Sequence, residues 1–114
     1  MRRMSVGKNL AANVKTTVYT VPTQHYAQWD LLYISNEAGN NKYVSVWWYD
    51  KSNNTEVYVI DRYVLSATQF LKFDGNAYVI LEEGDEIRIL TETGSVMSSI
   101  NSFDIYPAAT SPLI

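Results

Sequence analysis

The residues of this chain that could do chemistry are few and scattered. His25 is the single histidine and stands in the turn-like segment VPTQHY. A metal-dependent enzyme needs several histidine or carboxylate ligands converging on one ion, and one imidazole cannot supply them. The densest group of carboxylates, Glu82, Glu83, Asp85 and Glu86, falls in LEEGDEI. Calcium takes six to eight oxygens, usually from alternate positions around a glycine, and that spacing is missing here. The segment reads as a solvated hairpin turn. The chain has no cysteine, which removes thiolate zinc sites, a cysteine nucleophile and a disulfide framework together. No phosphate-cradling glycine loop, nucleophile elbow or catalytic triad pattern is present. The expectation is a protein without enzymatic activity, cofactor or metal.

Charge narrows the partners. The formal net charge is −3, and residues 1 to 29 carry Arg2, Arg3, Lys8 and Lys15 with no acid, while all twelve carboxylates lie beyond them. A mildly acidic body does not offer nucleic acid the basic face it requires. No apolar run approaches the roughly 20 residues of a membrane-spanning helix. After Met1 the apolar residues are interrupted by Ser5, Gly7, Lys8 and Asn9, so no signal peptide is read and the expected site of synthesis and assembly is the cytoplasm.

The scaffold that positions these residues is legible from alternation. Segments of apolar and polar residues recur about every ten positions, bounded by turn residues, as in an antiparallel sandwich or barrel. Strands are expected near 15 to 21, 28 to 35, 42 to 49, 55 to 62, 68 to 73, 77 to 81, 86 to 92 and 96 to 106. Glycine and asparagine in Glu37–Asn41 and Asp50–Asn54 suit hairpin loops, because they accept positive φ or bond their own backbone. Eight short strands with no helical period predict an all-β, antiparallel, eight-stranded β-sandwich of the jelly-roll type, with an immunoglobulin-like sandwich as the alternative. Residues 1–14 lack a clear period and read as an N-terminal arm. Residues 15–106 form the sandwich, and the proline-bearing 107–114 reads as a C-terminal arm.

One strand raises a question of its own. In KYVSVWWYD, Tyr43, Trp47 and Tyr49 share one face of the strand while Val44, Val46 and Trp48 share the other. Aromatic side chains bury about 150 to 250 Å² each, so the first three would present roughly 450 to 750 Å² to water. The largest apolar patch on a typical monomer is about 300 to 600 Å². Tyrosine and tryptophan carry polar tips on apolar bodies and are enriched where proteins meet. Tyr43, Trp47 and Tyr49, with Tyr58 on the next strand, are therefore the expected subunit interface. The same rings beside Asn40, Asn41, Asn53 and Asn54 would also suit sugar stacking if they stayed accessible.

The order of motifs brings a resemblance. The run TTVYTVPTQHYAQWDLLYISNEAGNNKYVSVWWYD, the mid-chain VLSATQ and the later YVILEEGDEIRI resemble small jelly-roll virion proteins of tailed bacteriophages, over about residues 15 to 92. The shared motifs are structural: a TVP turn, an ISN strand end, a VSV-x-WYD strand and an LEEGD hairpin. The resemblance implies a structural virion protein on the outer capsid surface, a decoration or cement protein that forms trimers and clamps neighbouring major capsid or other virion proteins. The alternative it implies is a neck- or tail-attached protein with a carbohydrate- or receptor-binding sandwich. Arg2, Arg3 and Lys8 at one end and Leu113 and Ile114 at the other would then be arm contacts, and loss of residues 1 to 10 would leave a folded domain.

Overall fold

The β-branched and aromatic segments become extended chain in nine strands: β1 (Arg2–Leu10), β2 (Thr16–Thr20), β3 (His25–Asn36), β4 (Lys42–Asp50), β5 (Thr55–Leu65), β6 (Phe70–Phe73), β7 (Val79–Leu81), β8 (Glu86–Thr91) and β9 (Met97–Pro107). The computed structural model describes residues 1–74 and 79–108. The chain folds as one long antiparallel ribbon with the β4–β5 hairpin at its tip. Behind that tip β3 pairs with both β6 and β7, β2 with β8, and β1 with β9. Rolling the ribbon brings β9 beside β3 and β8 beside β4. The result is two sheets, β1-β9-β3-β6 with β7 also on β3, and β2-β8-β4-β5. This is a jelly-roll sandwich: the alternation predicts the sandwich, and the strand pairing separates the jelly roll from the immunoglobulin-like alternative.

Turn chemistry closes the hairpins. A 3₁₀ turn at Lys51–Asn53 ends on Asn54 at φ 48°, the left-handed conformation that asparagine tolerates. Gly84 at φ 81° turns the chain between β7 and β8. Asp85, expected to be solvated, is instead 1 % exposed. Its carboxylate accepts from Trp48 Nε1 at 3.1 Å, the Lys51 amide at 3.1 Å and the Glu82 amide at 2.9 Å. Three donors satisfy the charge that burial would otherwise penalise, and they tie two hairpins together.

The expected N-terminal arm is corrected by β1. Met4, Val6 and Leu10 lie opposite Phe103, Asn101 and Met97 of β9, and Leu10 is buried in the core cluster with Val18, Trp29, Ile34, Val44, Val46, Ile87, Ile89, Met97 and Phe103. Residues 2–10 form a full strand in which Leu10 is buried and Met4 and Val6 pack half-buried against the core, gaining part of the about 1.5 to 3 kcal/mol that full burial of a large aliphatic contributes. The expected count of eight lacked only β1, with β6 and β7 separate as expected; nine strands are observed among the described residues. Two positions of the expected strand 77 to 81 lie outside the described residues, as do Leu113 and Ile114.

Candidate functional site

The parity expected for β4 holds. Val44 and Val46 are buried in the core and Trp48 packs against it from the same side, which turns Tyr43, Trp47 and Tyr49 outward. The inference that this outer face must be greasy does not hold, because the chain covers it itself. Trp47 is 5 % exposed. Sheet order places Thr17, Arg88, Trp47 and Tyr58 in one row across β2, β8, β4 and β5. The next row includes Glu86, Tyr49 and Glu56. Lys15 Nζ sits 3.9 Å from the Trp47 ring centroid and the Arg88 guanidinium carbon 4.0 Å from that of Tyr49. The Tyr58 ring lies 5.1 Å from Trp47.

Carboxylates hold the two cations in place. Glu56 accepts from Lys15 at 2.8 Å and from Arg88 at 2.9 Å, while Glu86 accepts from Arg88 at 3.0 Å and from the Thr17 hydroxyl at 3.0 Å. Burial pushes the Glu56 carboxyl up, but the hydrogen bonds from Lys15 and Arg88 outweigh it and hold the group below its usual value. Cations over aromatic faces contribute about 0.5 to 2 kcal/mol each. Trp47 is thus a structural residue under a charged lid. Of the four expected interface residues, Tyr43 and Tyr49 are half-buried and only Tyr58, at 54 %, is exposed.

The sugar-stacking arrangement loses its accessible tryptophan, while the asparagines stay exposed but are engaged in hydrogen bonds. Trp47 is covered, the Trp48 indole N–H is engaged by Asp85, and the side chains of Asn41, Asn53 and Asn54 bond to Ala67, Asp50 and Tyr49. On the opposite sheet, Arg3 Nε pairs with Asp104 at 3.2 Å, beside Asp30. Burial raises the Asp30 carboxyl; Gln28 opposes that through a hydrogen bond and Asp104 adds to it. His25 is half-buried, with Nδ1 2.8 Å from the Thr23 carbonyl oxygen. Among the described residues no group of three or more His, Cys, Asp or Glu could hold a metal ion, and no helix is long and apolar enough to cross a membrane.

The uncovered apolar surface lies one strand further out. At register positions that face the core, Val57 opposes Trp48, Tyr63 opposes Val44 and Phe73 opposes Leu32. They are nevertheless 44, 50 and 45 % exposed. Among the described residues the sandwich stays open between the β5 edge and the β6/β7 edge, and Val59, Phe73 and Val79 line a cleft of about 250 Å³ there with Trp29, Leu31 and Leu32. Tyr58, Val64, Phe70 and Ile80 extend the apolar surface around both rims. The signal was partly present in the sequence: TEVYVIDRYVL carries Val57, Tyr58, Val59, Ile60, Tyr63 and Val64 among the charged Glu56, Asp61 and Arg62.

Two solved structures are similar in fold. One is a protein of Bacillus endospore appendages, described as a family of disulfide-linked pili, with 15 % identity over 95 % of this chain and 87 % of that one and a TM-score of 0.55. The other is the globular domain of zebrafish complement 1qA protein, with 15 % identity, 92 % and 97 % coverage and a TM-score of 0.48. No family model and no curated protein matches the chain.

Proposed function

We propose that this chain is a structural, self-associating protein of a bacteriophage particle, acting as a decoration or cement protein on the outer shell. Two things support the reading: the ordered TVP, ISN, VSV-x-WYD and LEEGD motifs, and a core left open along one side. The second carries it. Val57, Tyr63 and Phe73 occupy core-facing positions and are only half covered among the described residues, where a sandwich built to act alone would close over them. Arg2 and Lys8 remain exposed on β1 and offer a basic strip to an acidic shell surface. The Bacillus appendage protein is described as disulfide-linked; with no cysteine, this chain would have to associate through non-covalent contacts. Trimers are the stoichiometry the phage resemblance implies. Immunogold labelling of particles purified from cells that make this protein tests the reading. Gold on the particle is expected, with shell, neck and tail told apart by its position, and label confined to the particle-free fraction would overturn it.

A further inference from the structure

The open side invites one occupant over others. We propose that it is covered by the same side of a second copy, so that β5, β6 and β7 of one chain pack against β5, β6 and β7 of another. The inference rests on the self-association reading and names its contact surface; a like-on-like contact pairs copies about a two-fold axis, a different stoichiometry from the trimer that the phage resemblance implies.

Area is the first argument. Tyr63 and Phe73, at core-facing positions, are each about half exposed, so at about 150 to 250 Å² per aromatic side chain they leave roughly 150 to 250 Å² in water. Val57 and Val59 beside them are also exposed, and Tyr58 and Val64 flank the cleft on the outer face of one sheet, Phe70 and Ile80 on that of the other. The cleft with its flanks is comparable with the range of about 300 to 600 Å² for a monomer's largest patch and smaller than the roughly 800 Å² that each partner contributes to a standard stable interface, so a weak association is expected.

Charge is the second. The formal charges on β5, β6 and β7 are Glu56, Asp61, Arg62 and Lys72, two of each sign. Asp61 pairs with Arg62 at 3.5 Å, Glu56 is held by Lys15 and Arg88, and Lys72 pairs with Asp74 at 3.1 Å. A neutral surface can face its own copy without repulsion. The opposite side of the sandwich cannot serve as the complement, since β1 presents Arg2, Arg3 and Lys8 rather than apolar side chains.

The backbone of β5 decides how the copies meet. Its register against β4 shifts twice, between the Val44 and Val46 pairs and between the Val46 and Trp47 pairs. Arg62 stands at φ 47° with its amide donating to Ser45 Oγ at 2.9 Å. Bulges twist an edge away from a partner strand. The contact is therefore side chain on side chain across the cleft, and the two sheets do not continue into each other along the whole of β5.

Sedimentation equilibrium of the full chain tests this, with Val59→Glu and Phe73→Glu as patch variants and Ile100→Glu, at an exposed position on β9, as the control. Association of the wild type is expected, weakened at least about tenfold by each patch variant and unchanged by the control. An associating wild type unaffected by the patch variants overturns this surface and leaves the self-association reading standing. A wild type that stays monomeric overturns both. Tyr63→Ser, which adds no charge, is read by the same criteria if circular dichroism shows a glutamate variant unfolded.

Discussion

The two sides of the sandwich end differently. On one side β1 and β2 close the core: β1 approaches β2 and β8 across the layers, and Leu10 and Val18 are buried. On the other, β5 and the pair β6/β7 leave core-facing side chains half in water. The difference lies in what each edge offers. β1 is one unbroken strand of nine residues, registered on β9 throughout, whereas the edge opposite β5 is two short strands of four and three residues. Among the described residues the continuous edge covers the core, whereas beside β6 and β7 the core-facing side chains stay half in water.

Removing the closed edge has the largest expected effect. Deletion of residues 1–10 takes away β1, exposes the inner face of β9, and should abolish cooperative thermal unfolding. A stable, folded truncation would mean that these residues are an arm after all. Next comes Trp47→Ala, which should cost about 3 to 5 kcal/mol in urea unfolding while leaving the oligomeric state of the folded fraction unchanged, because the ring is covered within its own chain. Loss of association at unchanged stability would restore the outer aromatic face as the interface.

A matched pair of valines measures the contrast itself. Val18→Ala on the closed side should cost about 1.5 to 2.5 kcal/mol, and Val57→Ala on the open side less than about 1 kcal/mol under dilute, monomeric conditions. Equal costs would show both sides to be equally well covered. The smallest effect is electrostatic. Glu56 is held below its unfolded value, near 4.5, so its contribution is present above that pH and lost as pH falls through the lower folded value. Its side chain is 26 % exposed, which limits the effect to roughly 1 kcal/mol or less. Glu56→Gln should flatten stability between about pH 5 and 3 relative to the wild type, and an unchanged pH profile would mean the lid over Trp47 carries no ionic support. Asp30, raised by burial, has the opposite sign: its contribution diminishes as pH rises through its raised value.

Much of this architecture could be read from alternation and turns. The parity of Val44, Val46 and Trp48 and the hairpin asparagines follow from local rules that a single strand obeys. What stayed hidden depends on which strands become neighbours. The cation lid over Trp47 joins Lys15, Glu56 and Arg88 from three separated segments, and no spacing reveals that β8 sits between β2 and β4. β1 is hidden because Lys8 breaks the even-numbered run of Met4, Val6 and Leu10, and Gly7 and Asn9 are poor strand formers. The open side is hidden for a similar reason: the apolar residues of β5 and the short strands β6 and β7 are visible in sequence, but that they face each other across the sandwich is a tertiary fact.

Amide hydrogen exchange of the full chain at a dilute and a concentrated condition tests the central claim most directly. Slower exchange on concentration is expected in residues 55–65, 70–73 and 79–81, with residues 2–10 and 16–20 unchanged. Protection that appears along β1 and β2 instead, or no dependence on concentration anywhere, would contradict the assignment of the open side as the place where copies meet.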